Sequence, residues 1–419
     1  MYAVLRTESR LAAKYSANSC SSRWSTRLAL RSSGVRQGRR NPARPRLHGL
    51  SDRSTGTGIP PERLKAQRTI WCDPAVTFAT SPTIDLRSDT VTRPDETMRA
   101  AMASAEVGDA VIDVDPTLRR LEERTAELLG LPAALWVPSG TMANIIALSL
   151  HLGRGDRFLA PRDAHVLVRE LGSSSWLAGG MPEPLEPDAG PGRPTAATLA
   201  KAIGPRDTSY LLLRTTLLCL ENTHNAAGGS VTPPHEHAQL AATAKEAGLK
   251  VHLDGARLWN AAVALDLPVA ALAVGADTVS VCYSKGLGAP VGSALAGGRE
   301  FIEQARRMRQ MLGGGVRQGG VLGAACLRAL DNVDDLAHDH DNARRLAEGL
   351  AEIGWSVHAP QTNIVLAGVP DVPLTISRLE NTGVLASPMA GKVRFVTHRD
   401  VSALDIEEAL SRIKSVAGQ

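Results

Sequence analysis

The sequence predicts an α/β protein with a large domain built on a mainly parallel sheet and a smaller α+β domain after it. From Ile84 onward, segments with the pattern of buried strands alternate with segments of helical periodicity. The alternation continues for about 200 residues, which is typical of a parallel sheet covered by helices. After Arg328 the pattern changes to polar helices and short strands. We therefore expect the large domain over residues 84–330 and the small domain over 331–419.

Local signals define the predicted elements in order. Asp115 and Pro116 are suited to the start of a helix, and Gly130 is suited to its end. The large domain then continues with a strand over 134–137, a helix over 141–152, strands over 210–213 and 217–220, a helix over 237–247, and strands over 250–253 and 279–282. The small domain is expected to contain a helix over 342–353, strands over 363–366 and 393–396, and a last helix over 400–416.

The charge of the chain is unevenly distributed. Residues 1 to 50 hold eleven Lys or Arg and one acid, whereas the rest of the chain holds 36 bases and 42 acids. An N-terminus that is rich in Arg and Ser and poor in acids is typical of an organelle transit peptide; an unstructured extension without an address is the other interpretation. We expect residues 1–83 to lie outside the fold and the protein to be mitochondrial or cytoplasmic. The acidic body excludes nucleic acid as a partner.

Composition excludes further classes of protein. The five cysteines include no C-x-x-C pair, which argues against a disulfide framework and a zinc ribbon. No apolar run approaches the roughly 18 residues that a membrane helix needs, so no membrane association is expected. The closely spaced histidines at 235 and 237, and at 338 and 340, lie at a helix start or in a charged segment. We therefore expect no metal site.

Three predicted strands end in residues that can bind a ligand, and the first of these ends is Ser139-Gly140-Thr141. This turn follows the strand over 134–137 and opens a helix. Backbone N–H groups at a helix N-terminus, with two hydroxyls beside them, can bind a phosphate. Taken alone, the simpler interpretation is that Ser139 or Thr141 only caps the helix.

The other two strand ends carry charged groups. Asp254 ends an apolar strand, and a buried carboxylate needs a cationic partner to stay ionised. That partner is either Arg257, three residues later, or a cationic atom of a ligand. Lys285 lies between a hydrophobic strand and a glycine turn, where a lysine with a lowered pKa becomes a nucleophile toward carbonyls. A surface lysine at a strand end is the simpler interpretation of this position.

The three strand ends together indicate one cofactor. A phosphate-binding turn, an acid for a pyridinium nitrogen and a lysine for a Schiff base are the attachments of pyridoxal 5'-phosphate (PLP). Their order along the chain suits successive strands of one sheet. Each signal is weak alone, and the set predicts a PLP site.

The chain also resembles the low-specificity L-threonine aldolases, which are PLP enzymes of fold type I. The resemblance extends from IDLRSDTVT (84–92) to VRFVTH (393–398), and six intervening motifs support it: AEVGD (105–109), PSGTMAN (138–144), ENTHN (221–225), HLDGAR (252–257), SKGLGAPVGS (284–293) and MLGGGVRQGG (311–320). It implies retro-aldol cleavage of L-threonine and L-allo-threonine to glycine and acetaldehyde. Another fold type I reaction, serine hydroxymethyl transfer or β-elimination, stays open, and so does a degenerate scaffold protein.

The resemblance also implies roles for individual residues. Lys285 matches the Schiff-base lysine, Asp254 the partner of the pyridinium nitrogen, and Ser139, Gly140 and Thr141 the phosphate-binding turn. Two histidines match a pair near the substrate β-hydroxyl, namely His165, which also stacks on the cofactor, and His224. The expected ligands of the substrate carboxylate are Ser88, Arg257 and Arg394, with Arg257 serving the 3-oxygen of the cofactor as the alternative.

Arg317 resembles a phosphate ligand supplied by a neighbouring subunit, which implies a homodimer or a homotetramer with shared active sites. Four positions depart from the family pattern. Arg169 stands where an aromatic residue is common, Ile112 where tyrosine is common, and Asp113 and Ala143 where glycine is usual. These positions concern the walls of the pocket, and therefore the substrate range more than the cofactor.

Overall fold

The computed structural model describes residues 82–204 and 210–417, and its largest element is a seven-stranded sheet. The predicted basic leader lies outside these residues except for 82 and 83. The strands of this sheet are β2 (Ala133–Val137), β3 (Arg157–Pro161), β4 (Met181–Leu185), β5 (Thr215–Glu221), β6 (Lys250–Gly255), β7 (Thr278–Cys282) and β8 (Ser293–Gly297).

The sheet is mainly parallel, as predicted. Its strand order is β2-β8-β7-β6-β5-β3-β4, and β8 is antiparallel to both of its neighbours. The other pairs are parallel. The carboxyl ends of six strands therefore meet at the same edge, and ligands of such sheets bind at that edge.

Helices cover this sheet and bury its strands. β7 and β8 are buried along their whole length, which is why both consist of apolar and small residues. The helices of this part of the chain are α1 (Glu96–Ala103), α2 (Pro116–Leu129), α3 (Gly140–His151), α4 (His165–Val168), α5 (Ser173–Trp176), α6 (Ala196–Ile203), α7 (Pro234–Glu246), α8 (Leu258–Leu265), α9 (Val269–Ala273), α10 (Arg299–Met311) and α11 (Gly320–Ala329).

The predicted caps of α2 are confirmed. The Asp115 carboxylate accepts hydrogen bonds from the backbone N–H groups of Thr117 and Leu118, and Gly130 ends the helix in the left-handed conformation. The largest apolar cluster of the molecule includes Leu118, Leu121 and Leu129 of this helix. The spacing of these leucines gives the helix one apolar face.

A second sheet lies in the C-terminal part of the chain. It is antiparallel, with the order β12-β13-β10-β9. Its strands are β9 (Ser356–Val357), β10 (Ile364–Gly368), β12 (Ser387–Met389) and β13 (Lys392–Val396), and the helices beside it are α12 (Leu336–Glu352), α13 (Val372–Asn381) and α14 (Ala403–Ala417).

The first described residues belong to the core of this C-terminal part. β1 (Ile84–Asp85) pairs in parallel with β11 (Val384–Leu385). Ile84 and Leu86 are buried in the same apolar cluster as Phe395. The chain therefore passes through the C-terminal core before it enters the large sheet, and the predicted boundary near residue 330 stays a prediction.

The structure corrects two expectations about strands. Residues 210–213 were expected to form a strand, but they lie in a turn and an irregular segment, and Tyr210 is 94% exposed. β5 starts only at Thr215, where the backbone meets β3 and β6 on both sides. The sequence interpretation also missed β8, because its residues Ser293–Gly297 are small and follow a glycine-rich motif.

Two exclusions can be compared with the described residues. The cysteines among them, Cys219, Cys282 and Cys326, are all free thiols in buried positions. Within residues 82–204 and 210–417, no helix combines the length and the apolarity that crossing a membrane requires.

Candidate active site

The structure brings the predicted strand-end residues together at one edge of the large sheet. Ser139 follows β2, His165 follows β3, and Glu221 ends β5. Asp254 lies near the end of β6, and Lys285 follows β7. Because these strands run in the same direction, their polar ends form one candidate site, as the sequence predicted.

The turn after β2 has the geometry of an anion site. Ser139 is the N-cap of α3, and its Oγ accepts a hydrogen bond of 3.2 Å from the backbone N–H of Met142. A Cβ atom at Gly140 would lie 2.9 Å from Cys282 Sγ, so β7 leaves no room for a side chain there. The remaining amides of the first turn and the Thr141 hydroxyl are suited to a phosphate. Capping and anion binding are therefore compatible at this turn.

Asp254 is a buried carboxylate held by neutral donors. Only 2% of the residue is exposed. Its oxygens accept hydrogen bonds from Asn144 Nδ2 at 2.8 Å and from the backbone N–H of Ala256 at 3.1 Å. Within the described part of the chain, no arginine or lysine forms an ion pair with it. A buried carboxylate in this state is suited to a cationic atom of a ligand.

Asn144 connects the carboxylates of the site to the sheet. Its Nδ2 donates to Glu170 Oε1 at 2.8 Å as well as to Asp254. Its Oδ1 accepts from Ser280 Oγ at 2.9 Å and lies 3.1 Å from His252 Nε2. These contacts fix the orientation of the amide and hold Asp254 in place.

His165 and Glu170 form a hydrogen-bonded pair beside Asp254. His165 Nδ1 lies 2.9 Å from Glu170 Oε1, and the backbone N–H of His165 donates to Glu221 Oε2 at 2.6 Å. Burial by itself would lower the pKa of His165, but the bond to Glu170 and the charges of Asp254, Glu170 and Glu221 raise it. Burial, together with the charge of Asp254, raises the pKa of Glu170. Both shifts favour a pair that carries a proton.

The same three side chains have the spacing of a metal cluster. One ligand atom each from His165, Glu170 and Asp254 lies within 4.8 Å of the others. However, both carboxylates already accept a hydrogen bond from Asn144, and His165 Nδ1 is bonded to Glu170. These bonds explain the proximity of the three groups without an ion.

Arg257 pairs with Asp89, so the interpretation in which it neutralises Asp254 is wrong. Arg257 Nε and Nη2 donate to the two oxygens of Asp89 at 2.7 and 2.6 Å. Arg257 is 5% exposed and Asp89 is fully buried. Burial alone would raise the pKa of Asp89, but the charges of Arg257, Lys285 and Arg394 and the bonds from Arg257 hold it well below its usual value. Two parallel hydrogen bonds make this a strong and well-oriented ion pair.

Arg394 is a second buried guanidinium of the site, and its partners are neutral. Its Nη1 donates to the carbonyl oxygen of Arg87 at 3.2 Å, and its Nη2 donates to Asn225 Oδ1 at 3.0 Å. Its Nε has no hydrogen-bond partner among the described residues. Burial and the charges of Arg257 and Arg169 lower the pKa of Arg394 to about 10, against the opposing charge of Asp89. The arrangement is suited to a bound carboxylate.

Ser88 and Arg257 lie next to Arg394, as predicted for carboxylate ligands. Ser88 follows Arg87 and is half-buried. Asn225 Oδ1 also accepts a bond of 3.3 Å from Arg257 Nη1, so one amide connects the two arginines. However, Asp89 occupies two donors of Arg257, and Arg394 keeps more donors free for a ligand.

Lys285 lies on a fixed turn after β7. Its carbonyl oxygen accepts hydrogen bonds from Thr92 Oγ1 and from the backbone N–H of Gly288, both at 2.9 Å. Gly288 has a φ of +86°, which a side chain would strain. The lysine is half-buried, and its charge contributes to the low pKa of Asp89. A fixed backbone with a side chain beside the buried charges is what a nucleophilic lysine requires.

Two predicted site residues occupy less direct positions. The imidazole of His224 is 1% exposed, and neither ring nitrogen has a partner among the described residues. A Cβ at Gly192 would lie 2.5 Å from this ring, so the 190–193 segment covers it. Arg317 is 56% exposed and pairs with Asp109 at 3.2 Å. The roles of both residues stay predictions.

Sequence interpretation missed four residues that hold the site together: Asp89, Asn144, Glu170 and Asn225. Each lies within or next to a motif that the sequence displays, namely IDLRSDTVT, PSGTMAN, the Arg169–Glu170 position and ENTHN. In each case the signal was an acid or an amide beside a hydroxyl, an imidazole or a guanidinium to which the sequence interpretation assigned the role.

The site fits PLP on observations of this chain alone. The turn at Ser139–Thr141 offers amides and hydroxyls to a phosphate. Asp254 is a buried carboxylate without a cation, as a partner of a protonated ring nitrogen has to be. Lys285 lies at the same edge of the sheet, on the turn that follows β7. Phosphate, ring and carbonyl thus each have a matching group.

Comparisons with known proteins agree with this geometry. The family model of the β-eliminating lyases matches residues 85–371. A probable low-specificity L-threonine aldolase 2 from Arabidopsis thaliana is 44% identical in an alignment of 352 positions that covers 81% of this chain and 99% of the relative. The low-specificity L-threonine aldolase of Escherichia coli K12 is 41% identical over 330 residues, which are 78% of this chain and 96% of the relative.

Solved structures support the fold. A threonine aldolase from Leishmania major matches with a TM-score of 0.68 at 23% identity, over 80% of this chain and 99% of that chain. A serine palmitoyltransferase from Sphingomonas wittichii matches with a TM-score of 0.66 at 20% identity, over 85% and 96% of the two chains. Both likenesses show that the described architecture is shared by enzymes with different reactions.

Proposed function

Since the chain belongs to the low-specificity L-threonine aldolases, within the β-eliminating lyase family, we propose that it cleaves L-threonine and L-allo-threonine to glycine and acetaldehyde with PLP as its cofactor. The comparisons confirm the predicted family and fold. The observation that carries the proposal is the convergence of the Ser139–Thr141 turn, Asp254 and Lys285 at one edge of the sheet, beside a buried arginine with neutral partners.

The residues of the large sheet would hold the cofactor. The Ser139–Thr141 turn would bind its phosphate, Asp254 would bind its ring nitrogen, and His165 would pack on its ring. Lys285 supplies the amine that attaches it. Bound in this way, PLP acts as an electron sink for the bonds of the substrate Cα. Asn144 contributes indirectly, because its bond to Asp254 fixes the carboxylate.

Arg394 of the C-terminal sheet and the residues around it bind and orient the amino acid. Arg394 binds the α-carboxylate in a bidentate manner, with Ser88 beside it. Asp89 holds Arg257 in place, and Asn225 connects Arg257 to Arg394. The position of the bound carboxylate determines which bond of Cα is oriented for cleavage. These residues therefore determine the type of reaction as well as the substrate affinity.

A base has to remove the proton of the β-hydroxyl. His165 is suited to this, because Glu170 binds its Nδ1 and leaves Nε2 free, and because a third of the side chain is exposed. His224 is the alternative, directly or through a water, but its ring is covered at Gly192. The base takes the hydroxyl proton, the Cα–Cβ bond breaks, the aldehyde leaves, and Cα regains a proton in glycine.

Product analysis distinguishes this reaction from its alternatives. We expect the purified protein with PLP to release equal amounts of glycine and acetaldehyde from L-threonine and L-allo-threonine. A β-eliminating enzyme would instead form pyruvate and ammonia from L-serine, and a hydroxymethyl transferase would require a folate acceptor. Pyruvate from serine without acetaldehyde from threonine would contradict the proposal. A protein that takes up no PLP would favour the scaffold.

The proposed assembly is a homodimer, or a dimer of dimers, in which Arg317 enters the site of the neighbouring copy. Arg317 is exposed and follows the 313–315 glycines. A Cβ at Gly314 would lie 2.4 Å from Met142 Sδ, so this segment passes the first turn of α3. Ile112 and Met311 are each 78% exposed, and a second copy would bury apolar groups of this kind.

Complementation tests the shared site. Lys285→Ala and Arg317→Ala, each inactive alone, are mixed and reassembled in equal amounts. Random reassembly makes half of the dimers mixed. If Arg317 acts in the partner's site, each mixed dimer has one intact site, which combines Lys285 of one subunit with Arg317 of the other. The mixture should then recover about a quarter of the wild-type activity. Arg317 acting in its own chain would give no recovery.

A further inference from the structure

Arg169 is a charged residue near the site, and the proposed cleavage of L-threonine assigns it no role. It follows α4, four residues after His165, and it is exposed. Its Nη2 lies 3.0 Å from Met389 Sδ, and no described carboxylate forms an ion pair with it. A thioether is a weak acceptor. The guanidinium is therefore held in position by a contact that leaves its charge and most of its donors free.

Met389 places Arg169 on the same face of the C-terminal sheet as Arg394. In the pairing of β12 with β13, Ser387 lies opposite Arg394 and Met389 lies opposite Lys392. Opposite residues of an antiparallel pair, and residues two apart on a strand, share one face. Met389 and Arg394 are therefore diagonal neighbours. Arg169 reaches Met389 from the end of α4, so its guanidinium lies beside the face of the C-terminal sheet that carries Arg394.

The charges around Arg394 are not balanced within the described residues. Asp89 neutralises Arg257 through two hydrogen bonds. Arg394 is bound to a carbonyl and an amide oxygen, and Arg169 to a sulfur. Glu170 adjoins Arg169 in sequence, but its carboxylate is hydrogen-bonded through Oε1 to His165 and Asn144 and forms no ion pair with Arg169 among the described residues. One of three guanidiniums is thus neutralised, and the charge of Arg169 disfavours that of Arg394.

We propose that Arg169 binds a second carboxylate, on the β-carbon of the substrate, so that the enzyme acts on β-hydroxy-α-amino dicarboxylic acids of the 3-hydroxyaspartate class. This inference rests on the proposed retro-aldol reaction and names its substrate class. A single amino acid with two carboxylates could bind Arg394 through its α-carboxylate and Arg169 through its second carboxylate. Two arginines without acidic partners are suited to such a dianion, and L-threonine would leave Arg169 unused.

The reaction is the same one with a different aldehyde. The base removes the proton of the β-hydroxyl, the Cα–Cβ bond breaks, and the β-carbon leaves as the aldehyde carbon of glyoxylate. Its carboxylate stays on Arg169 until release. Cα regains one proton and leaves as glycine. Atoms balance without an oxidant or a further reactant.

The test compares three substrates in the wild-type holoenzyme and in two variants. Wild-type protein, Arg169→Leu and Arg154→Leu are assayed with L-threonine and with the erythro and threo forms of L-3-hydroxyaspartate. Arg154 is the matched control, because it is exposed at the opposite, amino end of β3. We expect Arg169→Leu to lower kcat/KM for the better hydroxyaspartate isomer by about 10- to 100-fold, since a charge-assisted hydrogen bond pair is lost. Activity on L-threonine should change by less than about threefold.

A binding measurement separates recognition from turnover. L-aspartate has both carboxylates but no β-hydroxyl, so it competes with L-threonine without being cleaved. Its inhibition constant should rise in Arg169→Leu by the same factor as kcat/KM falls, whereas that of L-alanine should stay constant. Arg169→Lys should restore part of the binding, because it restores the charge but not the fork.

Three results would overturn the inference. Wild-type protein that cleaves L-threonine but neither isomer of hydroxyaspartate would refute it and leave the proposed function intact. Equal losses on both substrates in Arg169→Leu would assign the residue a structural role. Unchanged inhibition by L-aspartate would show that no carboxylate binds there. Protein that cleaves none of these substrates would refute the proposed function itself.

Discussion

Replacing Lys285 with alanine is expected to lower kcat for L-threonine by about three orders of magnitude or more, because the amine that would attach the cofactor is lost. The fold should survive the substitution. The lysine is half-buried, and the turn that carries it is held through its backbone carbonyl by Thr92 and Gly288. Steady-state release of acetaldehyde measures the loss.

Cofactor binding should persist in this variant without the covalent bond. The Ser139–Thr141 turn and Asp254 are unchanged, so PLP should stay bound with an absorption spectrum that differs from that of the wild-type protein. Lys250→Ala is the matched control, because Lys250 starts β6 at the far end of the strand, is 59% exposed and pairs with Asp277. A Lys285→Ala protein with near-normal cleavage would contradict the assigned mechanism.

The catalytic groups could be predicted because their signal is local. Lys285, Asp254 and Ser139 each follow an apolar strand within one short segment, and a parallel sheet brings such segments to one edge. A few residues of sequence therefore contain both the group and its position. The same locality predicted the caps of α2, since a cap and its helix are adjacent in the chain.

The supporting contacts could not be predicted in this way, because they join distant segments. Asp89 binds Arg257, which lies 168 residues later in the sequence, and Asn225 binds Arg394 of the C-terminal sheet. The nearest arginine to Asp254 in the sequence is Arg257, and proximity along the chain therefore suggested the wrong pair. Segment 210–213 failed for a related reason, since an apolar run forms a strand only where a neighbouring backbone can pair with it.

The family departure at Arg169 shows how the two kinds of information combine. The family resemblance implies that an aromatic residue is common at this position but does not say which charges surround it. Among the described residues, the Arg169 guanidinium has no acidic partner, and it lies beside the face that carries Arg394. A substrate class follows from the two observations together and from neither alone.

Replacing Asp89 with asparagine is expected to lower the free energy of unfolding by about 3–5 kcal/mol, because it leaves the buried guanidinium of Arg257 without a counter-charge. The volume of the side chain is preserved, and the amide of Asn363, which lies 3.2 Å from Asp89, keeps an oxygen partner. The decrease in the free energy of unfolding therefore measures the contribution of the Asp89 charge. Urea unfolding at neutral pH gives the value, and Asp85→Asn is the control. Asp85 pairs with an Arg87 side chain that is 53% exposed, so its loss should cost about 1 kcal/mol or less.

The effect of Asp89→Asn should also depend on pH. Arg257 holds the folded-state pKa of Asp89 below its usual value, so the ion pair stabilises the fold above the pKa of the unfolded carboxyl, near 4. This stabilisation is lost as the pH falls toward the folded-state pKa. The difference between wild-type protein and variant should therefore be largest at neutral pH and shrink in acid. A difference that grows in acid would contradict this assignment.

A double substitution separates the structural role of the pair from its role in the site. Asp89→Leu with Arg257→Met removes both buried charges and fills their volume, and replacing a buried ion pair by apolar groups is often neutral or stabilising. The double variant should recover most of the unfolding free energy that Asp89→Asn loses. Its KM for L-threonine should nevertheless rise. Asn225 Oδ1 then accepts a hydrogen bond from Arg394 but none from Arg257, so the amide is held less firmly and orients Arg394 less well. Recovery of both stability and KM would mean that the Asp89–Arg257 pair only stabilises the fold.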